Sequence, residues 1–386
     1  MDSADVVIIG GGVVGASIAY HLAARGCTDV RVLERGATPG EGSTGKATGG
    51  FRAQFGSDVN VRLSLLSLEK LLRFADELGV DPGYRPCGYL FLADSPESLA
   101  TLLAAQAVQH AAGVAAARAV DPEEAREINP AISIDGVVGG TWCPTDGFIR
   151  PLEILRGYME GARRLGARFE HGAPVEAIER VGDRVTGVRT PAGRIAAGAV
   201  VNAAGAWAGV VGRMAGVEVP VTPLRRQIAP TVPTEALPEC MPLTIFVDDG
   251  FHARVRDGRV LLLWPDQPPS ADPFDLAFDE SWLPEVTARA HRRIPRLRDI
   301  PVDRAACWNG LYEISPDRHV LLGLAPGVEN LYLANGSSGH GVMHSPAIGQ
   351  LVAEMVVDGA ASSLDVHALR PSRFADGEPI DSPELL

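Results

Sequence analysis

Three observations predict an α/β fold of more than one domain. The chain has 386 residues, too many for one ordinary core. Its run Asp5-Val6-Val7-Ile8-Ile9 is β-branched and continuously apolar, as expected of a parallel strand covered on both faces. That run passes through Gly10-Gly11-Gly12-Val13-Val14-Gly15 into a helical pattern over 16–25, which stops at Gly26. A second strand, Val30-Arg31-Val32-Leu33, follows and ends at Glu34.

Each part of this unit has its own physical task. Gly10 permits the tight turn, Gly12 lets the backbone approach a pyrophosphate, and Gly15 lets helix pack on strand. The helix start offers free N–H groups and partial positive charge to phosphates, so Val13 and Val14 fall among the contacts. Glu34, 19 residues beyond Gly15, stands where an acid accepts hydrogen bonds from ribose hydroxyls and disfavours a 2′-phosphate. A dinucleotide other than NADP is the expected ligand.

Composition narrows the class. Hydrophobic residues make up 46% and charged residues 22%, with a formal charge of −13. That is a globular mixture whose acidity argues against a nucleic-acid partner. Lys46 and Lys70 are the only lysines. The five cysteines are scattered without a C-x-x-C pair, which fits neither a disulfide scaffold nor a zinc site, and no metal is expected. The N-terminus has no leader pattern and no run long enough to span a membrane follows, so a cytoplasmic location is expected.

After Glu34 comes not another βαβ unit but a loop of small residues, 35–52, suited to lying against a flat ring. A long helix follows with a leucine stripe (Leu63, Leu65, Leu66, Leu68, Leu71, Leu72) read as core packing. Further on, 86–95 and 243–265 read as strands, the latter with a turn at Asp257-Gly258. The proline-rich stretch 217–242 reads as a crossover and 371–386 as a frayed tail. Near the C-terminus, Ser345-Pro346 reads as N-cap and first residue of a helix running to about Val357, stopped by Asp358-Gly359.

Four stretches in order resemble the FAD-dependent D-amino-acid oxidase superfamily, in particular its glycine and sarcosine oxidases, the sarcosine oxidase β subunits and dye-linked proline dehydrogenase. They are the nucleotide turn with Glu34; Ser43-Thr44-Gly45-Lys46 running to Arg52; Val200-Val201-Asn202-Ala203-Ala204-Gly205-Ala206-Trp207; and Asn335-Gly336-Ser337-Ser338-Gly339-His340-Gly341-Val342-Met343, preceded by Ser315-Pro316-Asp317. The resemblance implies a discontinuous Rossmann-like FAD domain of the glutathione-reductase-2 type (1–85, 145–217 and 315–370). It also implies an interleaved α+β substrate domain (86–144 and 218–314) on a mixed, largely antiparallel sheet, with 371–386 as the tail. It places FAD, held non-covalently, against Gly10, Gly12, Val13, Val14, Gly15, Glu34, Arg35, Ser43, Thr44, Gly45, Lys46, Val175, Ala203, Gly205, Trp207, Gly339, His340, Gly341, Val342 and Met343.

A physical reason supports the last group. Hydride transfer leaves negative charge at one edge of the flavin, which backbone N–H groups and a helix dipole stabilise by roughly 0.3–2 kcal/mol. The resemblance further implies hydride transfer from the carbon beside an amine to flavin N5. A desolvated neutral amine needs no dedicated base. The substrate implied is a glycine-type or N-substituted glycine amine, with oxygen or another electron acceptor as second partner. The imine then hydrolyses to amine and 2-oxo acid, with peroxide where oxygen is the acceptor.

Arg52 matches an arginine that sarcosine oxidases use for the substrate carboxylate, a task its planar fork suits. His340 takes the family position beside the ring, while His344 and His319 are read as structural. Departures from the pattern are Tyr312 in place of an arginine, Met343 in place of a lysine, and Gly310 in place of a flavin-linking cysteine, with Cys307 nearby. Lys46 is the remaining candidate for oxygen activation. His252 and Arg254 share one face of a hairpin strand, and His252 is a candidate pocket residue. Alternative readings are an L-proline or 2-hydroxy-acid dehydrogenase, or a flavin-bearing subunit or assembly factor. Both a homo-oligomer and a heteromeric dehydrogenase are compatible with them.

Overall fold

Because it is apolar on both faces, the first strand takes the interior of a sheet. The structure is a computed structural model describing residues 2–27, 29–265, 272–383 and 385. In it Asp2–Ile9 pairs in parallel with Val30–Glu34 on one side and Gly193–Asn202 on the other. Among the described residues this sheet has eight strands. Its main path runs Leu321–Leu324, Leu331–Asn335, Gly193–Asn202, Asp2–Ile9, Val30–Glu34, Arg168–His171, with Arg184–Thr190 and Ala177–Val181 attached to Gly193–Asn202. Helices Val13–Ala24 and Gly341–Val357 cover one face, where Ile8, Ile18, Leu22, Val201, Ile348 and Leu351 are fully buried.

The second sheet runs Trp308–Ile314, Thr222–Pro230, Arg259–Leu263, His252–Arg256, Leu243–Phe246, Tyr89–Ala93, Gly139–Cys143, Arg118–Val120. Its neighbours are antiparallel except Leu243–Phe246 beside Tyr89–Ala93. A mixed, largely antiparallel sheet beside a sheet with a parallel centre and antiparallel margins is the architecture observed, and it fits the α/β class expected. The turn at Asp257-Gly258 is present, both residues having positive φ (52° and 71°), as a two-residue hairpin requires.

Several sequence expectations are corrected. Cys87 and Cys240, 153 residues apart, form a disulfide. The parallel register of Leu243 with Tyr89 brings the segments preceding both strands together, a proximity no cysteine spacing reveals. The stretch 217–242 is no simple crossover, since Thr222–Pro230 is a strand whose residues 222–228 pair with Trp308–Ile314 and whose last three pair with Arg259–Leu263, with prolines only near its two ends. Leu72 is 63% exposed, while the other stripe leucines pack inward.

The terminal helix does not begin at Pro346 but at Gly341, with Pro346 inside it. Proline lacks the N–H that would reach the carbonyl of Val342, and the Ser345 hydroxyl donates to that carbonyl instead (2.9 Å). Nor is the tail frayed. Arg373 is fully buried, and its Nε and Nη2 reach the Asp317 carboxylate at 2.7 and 2.8 Å. Ile380 N–H also donates to Asp317 (3.1 Å), and Leu385 is buried.

Removing one partner of such a pair strands a buried charge, which costs about 3–5 kcal/mol. Arg373→Ala is therefore expected to lower the unfolding free energy by ~3–5 kcal/mol, measured by urea denaturation monitored by circular dichroism.

Candidate functional site

Both sheets contribute walls to one elongated cavity of about 1380 Å³. The nucleotide turn forms one end. Gly10 has φ +112°, and a Cβ there would meet the carbonyl oxygen of Ala203 at 2.4 Å. A Cβ on Gly15 would lie 2.0 Å from the Gly10 oxygen, so helix and strand approach as the motif requires. Glu34 Oε2 accepts from Gly11 N–H (2.8 Å) and Oε1 from Gly36 N–H (2.6 Å). The acid therefore shapes the turn as well as facing the cavity.

Ser43–Lys46 forms a single helical turn instead of an extended loop, and Thr44 Oγ1 accepts from Val13 N–H (3.1 Å). Thr44 and Gly12 are also close, since a Cβ on Gly12 would lie 3.3 Å from Thr44 Oγ1. Arg35 lies 3.6 Å over the Trp207 ring, and Phe274 stacks on that indole at 5.3 Å. Val13, Val14, Arg35, Ser43, Thr44, Lys46, Val175, Ala203, Gly205 and Trp207 all line the cavity; Gly15 and Gly45 lie behind its wall. Gly339, His340, Gly341, Val342 and Met343 line the other end. The helix that starts at Gly341 leaves its first N–H groups there without intrahelical partners.

Two features of this wall fit a flavin dinucleotide beyond the glycine turn. Glu313 Oε2 and Ser337 Oγ are buried without a hydrogen-bond partner among the described residues, and both residues line the cavity. Polyol hydroxyls would satisfy both. No cysteine lines the cavity among the described residues, and Cys307 points its thiol toward the Asp303 carbonyl (3.6 Å). At Gly310 a Cβ would instead meet Lys46 Cβ at 3.0 Å.

Around Arg52 the site becomes a fixed constellation. The residue is 5% exposed and lines the cavity. Its guanidinium lies 4.3 Å over the Phe55 ring, donates to the Gln54 carbonyl (3.2 Å) and contacts His340 Nε2 (3.2 Å). Because guanidinium only donates, His340 Nε2 accepts, which makes the ring neutral with its proton on Nδ1. Burial and the Arg52 charge both hold the pKa of His340 well below the usual histidine value. Behind it, Ser64 Oγ donates to the Arg52 carbonyl (2.8 Å), so His344 Nε2 donates to Ser64 (2.9 Å). Burial lowers the pKa of His344 to about 3.

Tyr89, His252, Leu243, Ile245, Leu263 and Tyr312 complete this part of the wall. His252 is half-buried, its Nδ1 is 2.9 Å from the Gly250 carbonyl, and burial lowers its pKa to about 4. Arg254 does not line the cavity; it donates to the carbonyls of Thr48 and Gly49 and covers Phe148. Tyr312 sits against Gly339, where a Cβ would meet its ring at 2.6 Å. His319 is structural, its Nδ1 donating to the Asp317 carbonyl and its Nε2 accepting from Ser57 (2.7 Å).

Sequence reasoning missed Gln54, Phe55, Ser64 and Asp146. Asp146 is fully buried and accepts from Ala53 N–H (2.7 Å) and Gln54 Nε2 (3.1 Å). Its local sequence, Pro144-Thr145-Asp146-Gly147, reads only as a turn.

A cavity that meets a glycine turn at one end and a helix N-terminus at the other suits a dinucleotide carrying a charge-accepting ring, the site of a flavin-dependent oxidoreductase. The chain belongs to the FAD dependent oxidoreductase family, which it matches over residues 5–355; it is an enzyme that uses non-covalent FAD. It is 31% identical to FAD-dependent oxidoreductase domain-containing protein 1 of Xenopus laevis, over 98% of this chain and 84% of that one. It is 30% identical to mitochondrial dimethylglycine dehydrogenase of Rattus norvegicus, over 97% of this chain and 45% of that one, and so spans less than half of that relative. The solved L-proline dehydrogenase of P. horikoshii superposes with a TM-score of 0.89 at 32% identity, covering 98% of this chain and 100% of that one. Among the described residues, no helix is long and apolar enough to cross a membrane.

The neutral His344 sets a pH dependence. Its folded pKa of about 3 lies below the unfolded value of about 6.5. Between these values only the unfolded state is protonated there, so stability falls as pH falls. The loss is about 1.4 kcal/mol per pH unit, or about 2 kcal/mol by pH 5. His344→Gln keeps a donor for Ser64. It should shrink the stability difference between pH 7 and pH 5 by about 2 kcal/mol, measured by chemical denaturation at the two pH values.

Proposed function

We propose that this enzyme oxidises the C–N bond of a glycine-type secondary amine, an N-substituted glycine, giving an imine that hydrolyses to amine and 2-oxo acid. The observation that carries this reading is Arg52, a buried cation fixed in a wall that also holds Tyr89, Leu243, Ile245, Leu263, neutral histidines and a second cation, Arg226 beside Tyr312. A carboxylate is the substrate group that such a cation selects, by paired hydrogen bonds in a dry site. The amine partner is favoured as the neutral base because the same apolar wall penalises its ammonium form.

Bound FAD would supply the hydride acceptor. Arg52 would hold the substrate carboxylate and thereby fix the orientation of the neighbouring C–H bond. His340 Nε2 accepts a hydrogen bond from the Arg52 guanidinium and so orients that clamp instead of acting as an acid. The N–H groups of Gly341, Val342 and Met343 would stabilise negative charge at the ring edge beside them. Glu34, Thr44, Glu313 and the glycine turn would hold the rest of the cofactor. In this reading, segments 1–85, 145–217 and 315–370 carry the cofactor and segments 86–144 and 218–314 the substrate. Oxygen is one acceptor, with peroxide as product, and Lys46 in the cavity wall is its proposed activator.

Proline is a second substrate of the same chemical type, a secondary amine with an α-carboxylate. The likeness to a protein named L-proline dehydrogenase favours including it. Anaerobic bleaching of the flavin by sarcosine, dimethylglycine, proline and lactate in turn separates amine from hydroxy-acid oxidation. Bleaching by lactate alone would overturn the amine reading. Arg52→Ala should cost ~3–5 kcal/mol of substrate binding, seen as a fall in kcat/KM of at least a hundredfold. A fall below tenfold would remove Arg52 from that role.

A further inference from the structure

Asp146 lies outside the cavity wall, yet its bonds converge on it. The residue is 0% exposed, on the turn between strands Gly139–Cys143 and Gly147–Phe148. One carboxylate oxygen accepts from Ala53 N–H (2.7 Å), the other from Gln54 Nε2 (3.1 Å). The same Gln54 amide donates to the Tyr89 carbonyl (3.1 Å), and Gly88 N–H donates to the Asp146 carbonyl (2.8 Å). Asp146 thus binds the residue that follows Arg52 and, through Gln54, a residue of the substrate-side sheet. Tyr89 and Arg52 both line the cavity, and the Tyr89 hydroxyl packs where a Cβ on Gly50 would lie at 1.9 Å.

We infer that Asp146 is a positioning residue: its carboxylate sets the backbone at 52–54 and the start of the Tyr89 strand so that the Arg52 guanidinium meets the substrate carboxylate. This rests on the carboxylate-binding reading of Arg52.

The chemistry favours a carboxylate for the task. Two donors, one from a main-chain N–H and one from a side-chain amide, converge on it from a segment that carries a guanidinium. A neutral amide could accept from only one of them, because its nitrogen end is itself a donor. Burial raises the pKa of Asp146 to about 6, while the Ala53, Gln54 and Arg52 partners oppose that rise. The ionised form that accepts from both donors therefore prevails at neutral pH. A purely structural carboxylate would support folding equally for every substrate. A positioning one acts on carboxylate binding first.

The test uses the FAD-loaded full chain. Asp146→Asn is compared with the parent for FAD content, for KM and kcat with the best amine from the screen, and for the Kd of acetate read from the flavin absorbance. Expected are full FAD content, kcat within threefold of the parent, and a rise of about tenfold in both KM and acetate Kd. Gln54→Leu, which removes only the side-chain arm, should raise both by a smaller factor, and it carries the test if Asp146→Asn does not fold. KM and acetate Kd within twofold of the parent in a folded variant would overturn the inference. So would a loss confined to kcat. If Arg52→Ala leaves acetate Kd unchanged, it is the carboxylate reading of Arg52 that fails, and the two failures are told apart.

Discussion

Keeping the Arg52 guanidinium charged while it is buried in the cavity wall is the constraint on which the rest of the site depends. An isolated buried charge is costly, and the chain meets that cost with geometry. The Phe55 ring face lies under Arg52, the Gln54 carbonyl and His340 accept from it, and Ser64 grips its carbonyl. Each of these partners is neutral, and the carboxylate of Asp146 lies behind them within electrostatic reach. The nearby histidines must then stay unprotonated, and burial keeps them so. On the proposed reading, this fixed positive charge, with Arg226 in the same wall, is what an incoming carboxylate would meet.

That arrangement is possible because two sheets meet at the Arg52 segment. Gly50–Phe51 pairs with Gly147–Phe148 in a two-stranded ladder, and Asp146 at the start of that ladder binds the residues that follow Arg52. On the other side, the helix that begins at Gly341 brings His340 to the guanidinium and His344, through Ser64, to the Arg52 carbonyl. Elements of the two sheets therefore share one set of hydrogen bonds. A shift of either sheet would be felt both at Arg52 and at the first amides of that helix.

What could be read from the sequence was local or carried by residue type. The nucleotide turn spans 30 consecutive residues (5–34) whose strand, glycines, helix and acid each have a short-range cause, and the structure reproduces all of them. Arg52, His340 and Lys46 came from resemblance, and all three line the cavity. Gln54, Ser64 and Asp146 could not be found this way. The partners of Asp146 are about 92 residues away in sequence and those of Ser64 up to 280, and their residue types are common in ordinary turns and helices. Nothing in Pro144-Thr145-Asp146-Gly147 distinguishes a solvated turn from one folded against a buried amide.

The misread elements share one cause, a local rule outweighed by a distant or unusual partner. Proline inside the last helix breaks the rule that it starts one, because the preceding serine supplies the missing donor. The acidic, proline-rich tail breaks the rule for frayed ends, because Asp317 and Arg373 form an ion pair that excludes water. The cysteine pair breaks the spacing rule, because a parallel strand register joins residues 153 apart. The compensating groups lie just after the first amides of the last helix, beside His319, and ahead of the strand carrying Tyr89. Exceptions to local rules are expected to gather around a site that must hold its geometry.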